Sequence, residues 1–290
     1  MKLLITGGAG FLGARLAREI LKKGELNGLK VTELHIADLF PAPADLLADS
    51  RVKGHAGPML EQGALFQSGF DGVFHLASAV SGECEQDFDL GMRSNLDSTR
   101  LLLEFGPDPS NPMPNIVADN TLPSPQTSYG THKLMLEYLL ADFTRKGYFS
   151  GIIREPLAGQ ESICPVDENV SHSVSSPNNT IKCLIAVFEA SREAMQGRLA
   201  LNLPGLNVTV KEMLQALEEV AGPAVRQHVK FVRNEQIAGI VANWAKGGSA
   251  QRAAALGLKP DASFKDIIQQ YIDDCQLPYY PSHALDGLKK

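Results

Sequence analysis

Apolar and polar positions follow two periods along this chain, and their order predicts its elements. Met1 to Thr6 is a short, nearly continuous apolar run, the pattern of a strand buried on both faces. From Phe11 to Lys23 the period changes, and Leu12, Leu16, Ala17, Ile20 and Leu21 form one helical stripe. Lys22-Lys23-Gly24 closes that helix with cations followed by a residue suited to a left-handed cap. A second strand is expected over Glu33–Ala37, a weak one near Arg51–Gly54, a helix over Pro58–Ser68 and a strand over Gly72–Leu76. A long helical segment follows from about Glu85 to Leu103. This alternation predicts an α/β fold, a parallel sheet covered on both faces with its ligand beyond the carboxyl ends of the strands.

The second half is less regular. Phe105 to Ser128 is rich in Pro, Asn, Asp and Ser and reads as an ordered surface loop. Helical spacing returns from Tyr129 to Lys146, with Leu134, Leu136, Tyr138, Leu139 and Phe143. Tyr148 to Asn179 reads as irregular, followed by a helix over Asn179–Arg192 and a strand over Leu199–Leu203. Thr209 is placed to cap a helix from Val210 to Val220, and Val229 to Arg233 is a further strand candidate. Helices are expected near 248–256 and 263–275. The expected division is a nucleotide-binding domain over 1–147, joined by about 175–203, and a smaller substrate-binding part from 148–174 and 204–290.

Composition narrows the function classes. The chain has 290 residues, 44% hydrophobic and 21% charged, ordinary values for a globular enzyme. A net charge of −6 and no basic stripe argue against a nucleic-acid partner. No apolar run reaches the ~18 residues needed to cross a bilayer, so no membrane association is expected. The start is too short for a secretory signal, and the four cysteines (84, 164, 183 and 275) form no C-x-x-C pair. Reduced thiols and a cytoplasmic location are expected. The seven histidines show no metal-ligand spacing, so no metal site is assigned.

Between the first strand and helix lies Gly7-Gly8-Ala9-Gly10-Phe11-Leu12-Gly13. Its glycines fit G-x-G-x-x-G at 8, 10 and 13, and G-x-x-G-x-x-G at 7, 10 and 13. Such a loop must turn sharply, let a pyrophosphate approach the backbone, and pack the helix closely on the strand. The helix N-terminus then offers free N–H groups to the phosphates. Asp38 ends the second strand, 25 residues after Gly13, where an acid accepts from a ribose hydroxyl. Its charge disfavours a 2′-phosphate, so NAD is expected over NADP. Together these features predict a Rossmann-type doubly wound sheet.

Tyr129-Gly130-Thr131-His132-Lys133 is the second chemical signal. On a helix, Tyr129 and Lys133 share one face. An ammonium beside a phenol favours its ionised form; bringing a group of pKa near 10 toward neutrality takes roughly 4 kcal/mol. Such a phenol can take a hydroxyl proton while hydride leaves the carbon. The same spacing also suits a packed tyrosine beside a solvated lysine.

With these residues in view, the chain resembles the extended short-chain dehydrogenase/reductase family. The resemblance runs through Thr6 to Gly13, Phe88 to Asp97, Ser128 to Lys133, Ser150 to Gln160 and Leu201 to Leu206. It is nearest to a branch that oxidises the C2 hydroxyl of a four-carbon sugar acid with NAD. The resemblance implies that Gly7, Gly10, Phe11, Leu12 and Gly13 surround the pyrophosphate and that Asp38 holds the adenosine ribose. It implies that Ala77 and Ser78 border the nicotinamide, that Asn95 joins the active-site water network, and that Tyr129 and Lys133 are catalytic and touch the cofactor. A homodimer is also implied.

Three departures accompany the resemblance. The strand that normally carries a serine or threonine beside the tyrosine has no counterpart before Phe105. A second strand expected after Gly147 is also missing. Ser124, Thr127 and Ser128 lie near Tyr129 in sequence only. Gly54-His55-Ala56 stands where the family usually has Gly-Asp at the adenine edge, so backbone contacts to adenine are expected. For a sugar acid, Arg154 is the candidate carboxylate partner, the alternative being an ion pair with Glu155. Ser78 and Ser81 are candidates for substrate hydroxyls, although loop serines also serve as turn residues. Two other readings stay open: a nucleotide-sugar epimerase or dehydratase, and a non-catalytic NAD sensor.

Overall fold

The computed structural model describes residues 1–78, 92–97, 148–191, 193–195, 201–242 and 250–289. Its contacts divide the chain into two units, the described residues through Asp97 and those from Tyr148 onward.

The first unit is built on a four-stranded parallel sheet in the order β5-β4-β1-β6. These strands are Val52–Ala56 (β5), Glu33–Asp38 (β4), Lys2–Thr6 (β1) and Gly72–His75 (β6). Leu3, Leu4 and Ile5 are fully buried, as a strand covered on both faces requires. Helix α1, Phe11–Lys23, buries Leu16, Ala17 and Ile20 and ends at Gly24, whose φ of 75° lets its N–H reach Ile20 O at 2.8 Å. Two elements were not expected. Glu25–Leu26 (β2) and Leu29–Lys30 (β3) form a small antiparallel hairpin around Asn27-Gly28, with φ of 51° and 71°. A short helix, Ala44–Leu47 (α2), interrupts the Pro/Ala-rich connection. The helix expected over Pro58–Ser68 is two pieces, a 3₁₀ turn over Met59–Glu61 and Gly63–Gln67 (α3). There Phe66 packs with Leu4 and Ala37. Of the long helix expected over 85–103, only Met92–Asp97 is described, as a short π-type helix.

In the second unit, the stretch expected to be irregular is ordered. It holds a helix, Tyr148–Leu157 (α4), and strands Ser162–Cys164 (β7) and Ser171–Val174 (β8). Strand β7 pairs in parallel with Val229–Phe231 (β10), and β8 pairs antiparallel with Leu206–Thr209 (β9). Residues 201–203, expected to end a strand, lie outside one. Helix Val210–Ala221 (α6) starts as expected: Thr209 and Glu212 form a reciprocal capping box. Its Met213, Leu214 and Leu217 meet Ile152, Leu157, Phe264 and Ile268 in a buried core. Phe264 and Ile268 belong to the last long helix, Phe264–Cys275.

The sequence reading grouped about 175–203 with the nucleotide domain. By contacts, helix Pro177–Glu189 (α5) groups with the second unit instead. The physical reason is its N-cap: Ser176 donates through its backbone N–H and hydroxyl to the carboxylate of Asp261, at 2.8 and 2.7 Å.

Candidate nucleotide-binding site

The carboxyl ends of β1, β4 and β6 meet the start of α1, and this convergence makes the site. Gly7 leaves β1 with φ of 67°, a left-handed conformation that glycine adopts without strain. A Cβ there would stand 2.7 Å from both Leu76 C and Ala77 N. At Gly8 a Cβ would meet Ile36 Cγ2 at 2.6 Å, and at Gly13 it would strike the Gly7 carbonyl. Gly7 and Gly13 are therefore dictated by neighbouring backbone, and Gly8 by the Ile36 side chain together with the Ile5 carbonyl.

The polar groups of the loop divide sharply. The Gly7 N–H donates to Ala37 O at 2.8 Å, the Gly10 N–H to Gly7 O at 3.1 Å, and the Ala9 N–H to Asp38 Oδ2 at 3.0 Å. The first intrahelical bond shown is Ala14 N–H to Gly10 O, at 2.9 Å. The N–H groups of Phe11, Leu12 and Gly13 precede it and have no helical carbonyl to reach. Gly10 offers no side-chain cap. A helix N-terminus in this state suits a phosphate, which supplies the acceptors and meets the positive end of the helix dipole. The Phe11 side chain is exposed, Leu12 is half-buried, and Gly13 is buried.

Asp38 sits at the end of β4. Its Oδ1 accepts from Phe40 N–H at 3.1 Å, while Oδ2 accepts from the loop. Each carboxylate oxygen has a second lone pair, so two acceptor positions are left for hydroxyls. On the other side of β1, Thr6 links the loop to β6. Its Oγ1 lies 2.6 Å from His75 Nδ1 and 3.4 Å from Ala77 N, which donates to it. Which of the two atoms donates across the Thr6–His75 bond depends on the histidine tautomer. Burial pushes the His75 pKa below its usual value. Thr6 and His75 were not singled out from sequence, since a buried Thr in an apolar run carries no separate signal.

Of the expected site residues, Gly7, Gly10, Phe11, Leu12, Gly13 and Asp38 share this edge of the sheet. Ala77 backs Gly7, and Ser78 follows it as an exposed residue. Asn95 is half-buried in Met92–Asp97. Arg154 lies in the second unit, exposed on α4, where its guanidinium donates to Ser150 Oγ at 3.3 Å. It forms no ion pair among the described residues, Glu155 included. Tyr129, Lys133 and Ser81 lie outside the described residues. No metal-binding group of His, Cys, Asp and Glu occurs among the described residues, and no described helix is long and apolar enough to cross a membrane.

The profile of the NAD dependent epimerase/dehydratase family matches residues 3–108. A D-erythronate dehydrogenase from Cupriavidus necator is 38% identical over 322 aligned positions, covering 96% of this chain and 99% of its own. Another protein of that name, from Haemophilus influenzae, is 34% identical over 94% of this chain and 99% of its own. Among solved structures, a nucleoside-diphosphate-sugar epimerase from Agrobacterium tumefaciens is 34% identical, covers 94% of each chain and superposes with a TM-score of 0.75. The alignment with the Cupriavidus protein spans 322 positions, more than the 290 residues of this chain, so that relative carries residues this chain lacks.

Proposed function

The chain belongs to the NAD dependent epimerase/dehydratase family, and on that premise we propose that it is an NAD-dependent dehydrogenase of a four-carbon sugar acid, oxidising D-erythronate at C2 to 2-dehydro-D-erythronate. The observation that carries the substrate is the likeness, along nearly the whole chain, to two proteins named D-erythronate dehydrogenase. The nucleotide part rests on geometry. Three N–H groups at a helix start with no acceptor among the described residues, an uncapped glycine before them and a carboxylate with open lone pairs fit a pyrophosphate and an adjacent ribose.

The residues divide the chemistry as follows. Phe11, Leu12 and Gly13 bind the pyrophosphate through their N–H groups, and Asp38 holds the ribose hydroxyls. Bound NAD supplies the hydride acceptor. Tyr129 takes the proton of the C2 hydroxyl, and the ammonium of Lys133 keeps the phenol ionisable. Arg154 grips the substrate carboxylate as a fork, with Ser78 and Ser81 on the hydroxyls. The smaller part, 148–174 and 204–290, binds the substrate, and the working enzyme is a cytoplasmic homodimer.

The test is NADH absorbance with a panel of four-carbon sugar acids. D-Erythronate should turn over, and Tyr129→Phe should abolish turnover while NAD still binds. Turnover unchanged in Tyr129→Phe would remove Tyr129 from the chemistry, and NAD binding without turnover of any sugar acid would remove the dehydrogenase reading and favour a sensor. The likeness to the Agrobacterium epimerase supports a second reading, sugar-nucleotide epimerisation. Product formation from UDP-sugars with no NADH signal from sugar acids would favour it.

A further inference from the structure

The last residues of the chain fold back onto the end of α4, the helix that carries Arg154. That helix end is weakly held by its own backbone. Pro156, inside it, has no N–H to give the Ile152 carbonyl. The helix then closes in a Schellman turn: the Gly159 N–H donates to Pro156 O at 2.9 Å and the Gln160 N–H to Glu155 O at 2.8 Å. Gly159 takes the left-handed conformation that this turn demands, with φ of 75°. Arg154 directly precedes these residues, and its carbonyl accepts from the Ala158 N–H at 3.0 Å.

A second segment lies on that turn. After the last long helix, the tail 277–289 is a run of short turns. The Tyr280 N–H donates to Leu277 O, Ala284 N–H to Pro281 O and Leu288 N–H to Leu285 O, each at 3.0 Å. Ala284 is buried, and Leu285 packs on the core that holds Ile152 and Leu157. The tail ends in a 3₁₀ turn, Asp286–Lys289, in which Gly287 is buried. A Cβ on Gly287 would strike the Pro156 carbonyl and stand 2.7 Å from Gly159 N and 2.9 Å from Leu157 O. No side chain fits there, so tail and helix end meet backbone to backbone.

The start of the tail lies near the charge of Arg154. Tyr280 meets the ring of Tyr271, on the last long helix, edge to face, with centroids 6.4 Å apart. Burial and a hydrogen bond with Cys275 raise the Tyr271 pKa, and the positive charge of Arg154 opposes that rise. The guanidinium is therefore within electrostatic reach of the Tyr271 phenol. The tail thus grips the end of α4 at Gly287 and holds, through Tyr280, the ring that feels the Arg154 charge.

Resting on the reading of Arg154 as the partner of the substrate carboxylate, we propose that this tail is a strap that fixes the last turn of α4, and that Gly287 is a positioning residue for Arg154. Two parallel N–H···O bonds to a carboxylate need the guanidinium plane held in place. The proline leaves the turn short of one internal bond, and the strap supplies the support from outside the helix.

The experiment is steady-state kinetics of the full-length protein with NAD and D-erythronate. Arg154→Ala should raise KM roughly ten- to a hundredfold, the worth of a charge-assisted hydrogen bond. Gly287→Ala should raise KM about five- to tenfold and leave kcat within about twofold, because the interaction it weakens is made before the chemical step. The affinity for NAD should not move. The two effects should not add: in an Arg154→Ala background, Gly287→Ala should change KM by less than about twofold. A merely structural glycine would keep its full effect in that background. Tyr280→Ala, which frees the other end of the strap, should raise KM about threefold and carries the same test if Gly287→Ala does not fold. An unchanged KM in the folded strap variant, or an effect that persists without Arg154, overturns this inference alone. An unchanged KM in Arg154→Ala overturns the Arg154 reading and this inference with it. Absence of turnover in the unaltered protein overturns the dehydrogenase reading and both.

Discussion

Gly7 and Gly24 offer a matched test of the glycine loop. Both have left-handed backbone, with φ of 67° and 75°. Replacement by alanine costs each about 1–2 kcal/mol for a side chain in that conformation. Their surroundings differ. A Cβ at Gly24 meets nothing within 4 Å, whereas one at Gly7 would stand 2.7 Å from Leu76 C and Ala77 N and 2.8 Å from Leu76 O. Those are backbone atoms of the β6 end and cannot rotate away. Forcing them apart adds about 1–3 kcal/mol of overpacking. Gly24→Ala should therefore lower the melting midpoint by a few degrees, and Gly7→Ala by about ten, at roughly 2–4 °C per kcal/mol. The assay is thermal unfolding of both variants, with and without NAD. Gly24→Ala should keep the stabilisation that NAD confers, and Gly7→Ala should lose most of it. Equal midpoints for the two variants would refute the claim that close approach of β6, and not conformation alone, demands glycine at position 7.

Three further outcomes are expected. Asp38→Asn should weaken NAD about tenfold and narrow its advantage over NADP, read by titration with both, because a charged acceptor contributes about 1.5–3 kcal/mol. Thr209→Ala removes the hydroxyl half of the cap on Val210–Ala221 and should cost about 1 kcal/mol in urea unfolding. His172, 5% exposed, has its pKa lowered by burial from 6.5 to about 4. The unfolded chain then binds a proton that the folded one refuses, so stability is complete above pH ~6.5 and falls by up to about 3 kcal/mol as the pH drops toward 4. His172→Gln should flatten that slope between pH 6.5 and 4.5; an unchanged slope would exclude His172 as its source.

The glycine loop was legible because everything that makes it is contiguous. Strand, turn and helix are written in the first two dozen residues; the steric demand at Gly13 comes from the loop itself, and those at Gly7 and Gly8 from neighbours one strand away. The cap at Thr209 was legible for the same reason. The hairpin at Asn27-Gly28 carried a readable signal, since that dipeptide favours two positive φ values. Strands of two residues each carry no alternation that marks them as strands.

Other features had no local signal. Ser162–Cys164 is three residues long and exists as a strand only by pairing with Val229–Phe231, far along the chain. Pro156 inside Tyr148–Leu157 argues against a helix on propensity, and burial of Ile152, Ile153 and Leu157 overrides it. Tyr129 and Lys133, the centre of the sequence reading, lie outside the described residues.

Sequence alone thus determined the opening strand, glycine loop and helix, and the strand that ends in Asp38, because short-range sterics and periodicity act within one βαβ stretch. Tertiary structure alone decided which N–H groups of the loop have acceptors among the described residues and which do not, and it hydrogen-bonded Glu33, His35 and His55 side by side. Those outcomes depend on strand register, which pairs Ala37 with His55, and no pattern along a single strand encodes its partner's register.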